Sequence, residues 1–199
     1  ATRSLGLSAD RSFGPLDTVF GLTWLQEDAT MLGSFLSDSF GANGADTLFL
    51  DTSTAIDLPS GWQLGASYRH GFTRPRESGL IAASSGFRSN AWSLDLSRGD
   101  LFASGDSFGL RLAQPLRVTG GAIDVTLPVS YDYAAQTAGF GTRRLSLSPT
   151  GRETVGEVGW RGPFAHGRAS ASVYYRTDPG HYAAAPDDAG VAVTWRKGF

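Results

Sequence analysis

The residues of this chain that could do chemistry are few, and most lie in one stretch. Asp178, His181, Asp187 and Asp188 fall together near the C-terminal end. An imidazole beside carboxylates can serve as a general base or hold a metal weakly. The same stretch is polar and alanine-rich, and it reads more simply as a surface loop. His70 and His166 have no partner pattern. Ser107, in Gly105-Asp106-Ser107, begins a strand and lacks the strand–turn–helix setting of a nucleophile elbow. The chain has no cysteine, which excludes disulfides and thiolate metal sites. No cofactor, metal site or catalytic residue is expected.

Composition narrows the classes further. The 199 residues carry a net charge of -2, so no broad basic field is present to attract nucleic acid. Glycine is abundant at 26, and 12 Phe, 6 Tyr and 5 Trp make the chain rich in aromatics. Glycine, aromatics and frequent turn signals favour closed all-β sheets. No run approaches the roughly 18 apolar residues of a membrane helix. A barrel needs no such run, because its apolar residues alternate.

Period-2 alternation marks about eleven strands, at 3–13, 18–27, 46–58, 62–74, 91–98, 107–119, 122–133, 136–147, 152–164, 168–177 and 190–199. The clearest is 122–133, where Ile123, Val125, Leu127, Val129, Tyr131 and Tyr133 form one face and Asp124, Thr126, Ser130 and Asp132 the other. Gly120-Gly121 reads as a two-residue hairpin turn. Gly139 and Gly141 read as places where an aromatic ring packs on bare backbone. The stretch 28–45 reads as a long connection containing a short helical turn or a hairpin extension. Most strands match the ~9–11 residues of a tilted membrane strand. The expected fold is all-β, an antiparallel up-and-down transmembrane β-barrel of about 10–12 strands, in one domain over 1–199.

The last strand resembles the closing strand of a bacterial outer-membrane barrel. Val191, Val193, Trp195 and Phe199 alternate and end on an aromatic, although Lys197 shares their phase. In that class the C-terminal Phe is read by the barrel-insertion machinery. If this strand ends in the periplasm, the connections at 178–189, 148–151, 119–121, 75–90 and 28–45 are external. Those at 165–167, 134–135, 99–106, 59–61 and 14–17 are periplasmic. The long connections all fall on the external side, as in outer-membrane barrels. Such barrels have even strand numbers, so an odd count implies a strand upstream of Ala1 or a misread strand.

The charged residues Asp95, Arg111, Arg117, Asp124, Asp132, Glu153, Glu157 and Arg161 share the phase assigned to the interior. Trp62, Tyr131 and Tyr133 are expected in a periplasmic aromatic girdle and Trp92, with Phe72, in an external one. Gln114 and Arg143 sit awkwardly on the expected lipid face.

Four segments carry a resemblance to a family: Leu22-Thr-Trp-Leu-Gln-Glu-Asp-Ala-Thr-Met-Leu-Gly-Ser34, Ala91-Trp-Ser-Leu-Asp-Leu-Ser97, Gln114-Pro-Leu-Arg-Val118 and Tyr174-Tyr-Arg-Thr-Asp-Pro-Gly-His181. They are similar to the C-terminal β-barrel (translocator) domain of subtilisin-like autotransporter proteases. The resemblance implies an outer-membrane anchor that exports or tethers an N-terminal passenger domain. Its partners would be outer-membrane lipid, the insertion machinery and the passenger. The Gly-Thr-Ser-Met nucleophile segment of the protease is absent, so proteolysis does not carry over. The competing reading is a soluble β-rich accessory or interaction domain of a secreted subtilisin-like protease.

Overall fold

A computed structural model describes residues 1–35 and 44–197. The described residues contain strands and short turns. The strands are β1 (Thr2–Phe13), β2 (Leu16–Glu27), β3 (Thr30–Met31), β4 (Ser34–Phe35), β5 (Ala45–Asp57), β6 (Trp62–Pro75), β7 (Gly86–Gly99), β8 (Ser107–Asp132), β9 (Thr137–Ser146), β10 (Thr154–Phe164), β11 (Gly167–Thr177) and β12 (Asp188–Arg196). The alternation of apolar with small or polar residues selects extended chain, and each strand pairs antiparallel with its sequence neighbour.

The main sheet has ten strands in the order β1-β2-β5-β6-β7-β8-β10-β11-β12, with β9 paired to β8 off this path. Among the described residues β1 and β12 end the nine-strand path, each with a single neighbour, and β9 likewise has only β8. β3 and β4 make a separate two-stranded hairpin within the 28–44 connection, so that stretch begins with a hairpin and not a helical turn. Phe199 lies outside the described residues.

One expected boundary is absent. Gly120-Gly121 does not turn the chain: β8 runs straight through it for 26 residues. Gly121 has φ +97°, and a Cβ there would strike Phe87 and the Gly86 carbonyl. Gly121, and not Gly120, serves close approach to β7 within a strand. The first part of β8 pairs with β7 and with β10, at Val155↔Ala113 through Arg161↔Ser107. Its second part leaves the sheet and pairs with β9. Register shifts between Asn90/Trp92 and between Arg88/Ser89 mark the departure. The strands expected at 107–119 and 122–133 are therefore one strand, and with β9 off the path nine strands cross the sheet in sequence.

This topology sorts the connections. The turns at 14–15, 58–61, 100–106 and 165–166 lie at one end of the sheet. The connections at 28–44, 76–85 and 178–187 lie at the other, and so does the β8–β9 hairpin. Its 134–135 turn, expected at the short-turn end, is carried across because β8 runs on through Gly120-Gly121. The segment around Ile81 adds an antiparallel bridge to Val125, with Ala82 N donating to Asp124 O and Thr126 N to Leu80 O. Met31, Ala45, Ile81, Phe87, Ile123 and Val125 form the buried apolar cluster at this end. Ile123 and Val125, expected to face outward from a sheet strand, are covered by the chain of neighbouring connections.

At the short-turn end the 100–106 corner is held by a buried carboxylate. Asp106 accepts hydrogen bonds from Leu101 N at 2.8 Å, Phe102 N at 3.0 Å, Ala103 N at 3.0 Å and Trp160 Nε1 at 3.1 Å. Burial raises its carboxyl, but the Trp160 indole and the three amides outweigh burial and hold it below the usual carboxylate range. A depressed folded value stabilises above the unfolded value of about 3.9 and is lost as pH falls through the folded one. Asp106→Ala should melt below wild type at neutral pH, and the gap should close on acidification below about pH 4. Thermal melts across pH check this; a gap of constant size would show that the ionised carboxylate does not hold the corner.

Candidate functional site

The working surface is a sheet face, built by register. On one face, Leu5 stands opposite Trp24 and Leu7 opposite Leu22. Leu48 and Leu50 stand opposite these, and Leu64 faces Leu96. Leu110 and Leu112 face Leu96 and Leu94, Val158 faces Leu110, and Val173 faces Val158 and Val191. One register row, Phe13–Leu16–Ile56–Leu64–Leu96–Leu110–Val158–Val173–Val191, crosses all nine strands without a charge, whereas the Leu5–Trp24–Leu48–Phe72 row meets Arg88 on β7. Among the described residues nothing covers this face: Leu7 is 71% exposed, Leu94 47%, Val173 50% and Val191 72%.

Aromatics mark the ends of these rows. Phe13, Trp62, Phe108, Trp160, Phe164 and Trp195 cluster at the short-turn end. There Trp62 and Phe108 meet edge to face at 6.4 Å, and the Arg98 guanidinium lies over Trp62 at 5.7 Å. Trp195 Nε1 donates to Phe164 O at 3.1 Å. Trp24 and Phe72 stand toward the other end. Trp92 pairs with Tyr68 inside the face. Tyr131 and Tyr133 are placed differently from the expectation: they meet at 5.0 Å at the tip of the β8–β9 hairpin, on the long-connection side.

Gln114 and Arg143 cease to be anomalies. Gln114 is buried and donates from Nε2 to Asn90 Oδ1 at 3.0 Å, so two amides on the apolar face satisfy each other. Arg143 lies on β9, which pairs only with β8 and stands off the nine-strand path that carries the apolar face.

The opposite face holds Ser, Thr, Gly and the charges. Arg69 pairs with Asp51 at 2.5 Å. Asp95 faces Arg111 at 3.6 Å, and Arg111 stands opposite Glu157. Arg161 donates to Ser107 Oγ at 2.9 Å on the same face. The other four charges of the expected set lie elsewhere. Arg117 follows the first register shift and donates to Gly151 O and Pro149 O at 2.9 and 3.0 Å. Asp124 accepts from Ser84 Oγ on the protruding hairpin, and Asp132 accepts from Ala134 N and Ala135 N at its tip. Glu153 precedes β10 and is buried. On this polar face aromatic rings do lie on glycines, but at other positions than expected. Phe49 covers Gly71, and Tyr174 covers Gly190, where a Cβ would meet the ring. Gly139 and Gly141 instead face Ser130 and Val129.

The His181 stretch is a lock. Glu153 N donates to His181 Nδ1 at 2.9 Å, and His181 Nε2 lies 3.0 Å from Leu116 O. Nδ1 must accept, so Nε2 carries the proton and donates. Neither ring nitrogen is left to serve as a base. Asp178 accepts from Arg152 N, Asp187 from Tyr175 Oη, and Asp188 pairs with Arg176. Glu153 accepts from Gly180 N at 2.7 Å and lies 3.6 Å from Arg176. Among the described residues no group of three or more His, Asp or Glu is gathered as metal ligands would be.

Sequence reasoning missed two carboxylates. Glu27 is buried at the end of β2 and accepts from Thr30 Oγ1, Leu32 N and Gly33 N at 2.7, 2.7 and 2.8 Å, folding the β3–β4 hairpin. The signal was an acidic residue ending a strand just before a Gly-bearing turn. Asp106 is the second, in Ser104-Gly105-Asp106.

The class defined by this fold is a single-layer, all-β antiparallel sheet with one apolar and one charged face. No family model, curated protein or solved structure matches the chain.

A hydrogen bond to a charged group is worth about 1.5–3 kcal/mol. Glu153→Ala should therefore speed hydrogen exchange at the Gly180 amide by about tenfold or more. Exchange measured by mass spectrometry or NMR checks this; an unchanged rate would mean the carboxylate does not hold the 178–187 connection.

Proposed function

We propose that the chain is an integral outer-membrane β-barrel domain of the translocator kind, which anchors or exports a passenger domain. The carrying observation is the apolar row from Phe13 through Leu64, Leu96, Leu110 and Val158 to Val191, which crosses all nine strands, is largely exposed among the described residues and lies beside the aromatics of the short-turn end. Soluble monomers rarely expose apolar patches beyond a few hundred Å². Hydrocarbon is the covering that fits, and a barrel presents this band to lipid. Nine sequential strands, short turns at one end and long connections at the other support the same reading.

In hydrocarbon an open edge is not tolerated. The edges β1 and β12 are accordingly joined in the membrane, to each other or through further strands. The face bearing Asp51–Arg69 and Asp95–Arg111 then lines the lumen. The passenger role rests on the resemblance of the four segments named above.

A folded barrel should migrate differently in detergent gels before and after boiling, and identical migration would sink the reading in favour of a soluble domain. Leu94→Arg supplies a second measure. An Arg at the bilayer midplane costs about 2–4 kcal/mol, whereas on a water-facing sheet it would be nearly neutral. Unfolding in urea from lipid vesicles checks the difference.

A further inference from the structure

At the long-connection end of the apolar face, Trp24, Leu48 and Phe72 open into a groove of about 710 Å³ whose upper wall carries Arg74, Arg88 and Arg144. These arginines come from three separate strands, β6, β7 and β9. Register places Arg74 opposite Asp46, Arg88 opposite Phe72, and Arg144 opposite Asp124. Both acids are engaged elsewhere: Asp46 with Arg76 at 3.1 Å, and Asp124 with Ser84 Oγ at 2.7 Å. The guanidinium groups of Arg74, Arg88 and Arg144 have no hydrogen bond or ion pair among the described residues.

Three exposed guanidiniums without a partner among the described residues line one groove above an aromatic and aliphatic wall. Only the Asp46 carboxylate, already paired to Arg76, lies beside them, so the groove carries a net positive charge that an anion would complement. Guanidinium binds phosphate through paired N–H donors. Basic pockets at the membrane surface hold lipid head groups, and the volume suits a small amphiphile. We propose that this groove binds an acylated lipid carrying phosphate. The phosphate sits among Arg74, Arg88 and Arg144, and the acyl chains run down Phe72, Leu48 and Trp24 into the Leu rows. The site rests on the membrane-barrel reading, since only there does a lipid approach this face from the side.

Native mass spectrometry of the detergent-solubilised chain tests it, with phosphatidic acid, diacylglycerol of the same acyl composition, and inorganic phosphate as probes. Phosphatidic acid should be retained and the other two released. The Arg74→Gln/Arg88→Gln/Arg144→Gln triple variant should weaken retention about tenfold or more. Arg144→Gln alone, on the protruding hairpin, should weaken it several-fold without disturbing the sheet. A control Arg196→Gln, at the opposite end, should leave it unchanged. Equal retention by wild type and triple variant, or of diacylglycerol and phosphatidic acid, overturns the proposal. Saturation by inorganic phosphate alone overturns it too, marking a free-anion site. Heat-dependent gel migration separates the two levels. A normal shift without lipid retention refutes the lipid site only, whereas a missing shift refutes the barrel reading beneath it.

Discussion

Everything in this fold depends on one phase being kept across nine strands. A pleated strand shows alternate residues to opposite faces, and the backbone ladder couples that phase to each neighbour. Leu22 is therefore on the same side as Val191 although seven pairings separate them. A slip of one residue at any pairing would send leucines to the charged side and charges to the apolar side. The cross-strand pairs Asp51–Arg69 and Asp95–Arg111 and the hydroxyl pair Thr47–Thr73 favour the observed register from the polar side. The apolar rows favour it from the other.

The two ends of the sheet solve different problems. At the short-turn end the chain reverses tightly, and Asp106 gathers three amides and an indole around one corner. At the other end the connections are long enough to need their own core, built from Met31, Ile81, Phe87, Ile123 and Val125. They also need polar anchors: Glu27 for the β3–β4 hairpin, Arg117 for the 147–153 connection, and Glu153 with His181 for 178–187. Each anchor uses a side chain to satisfy backbone groups that no ladder reaches. His181 shows the result: a residue with catalytic potential by type is consumed by two backbone partners.

Much of this was legible in the sequence. Alternation located the strands, because period 2 survives wherever one face differs from the other. The sorting of long and short connections was legible too. It persists for the strands on the nine-strand path, because the merger in β8 removes one strand and the departure of β9 removes another, which preserves parity; only the 134–135 turn changes ends. What misled was local chemistry. Gly120-Gly121 has the composition of a hairpin turn, yet at Gly121 the lack of a Cβ admits the β7 backbone. Ile123 to Tyr133 alternates well, but alternation does not say whether an apolar face meets another sheet strand, loops or solvent. The placement of Arg117, Asp124, Asp132 and Glu153 depended on bulges and connections, which period counting passes over. Glu27 and Asp106 were invisible for a similar reason: their partners are backbone amides, which leave no mark in side-chain pattern.

The loop-end cluster has a mechanical corollary. Met31 follows β2 and Val125 lies in β8, and in a flat sheet four strand spacings of about 4.8 Å would hold these elements about 19 Å apart. Gathering both into one apolar knot with Ile81 works like a drawstring on the rim of a bag. The strands between, β5 to β7, are bowed by a tie that lies outside the ladder. Curvature is thus imposed from the rim, through an apolar contact that the strand ladder itself does not supply.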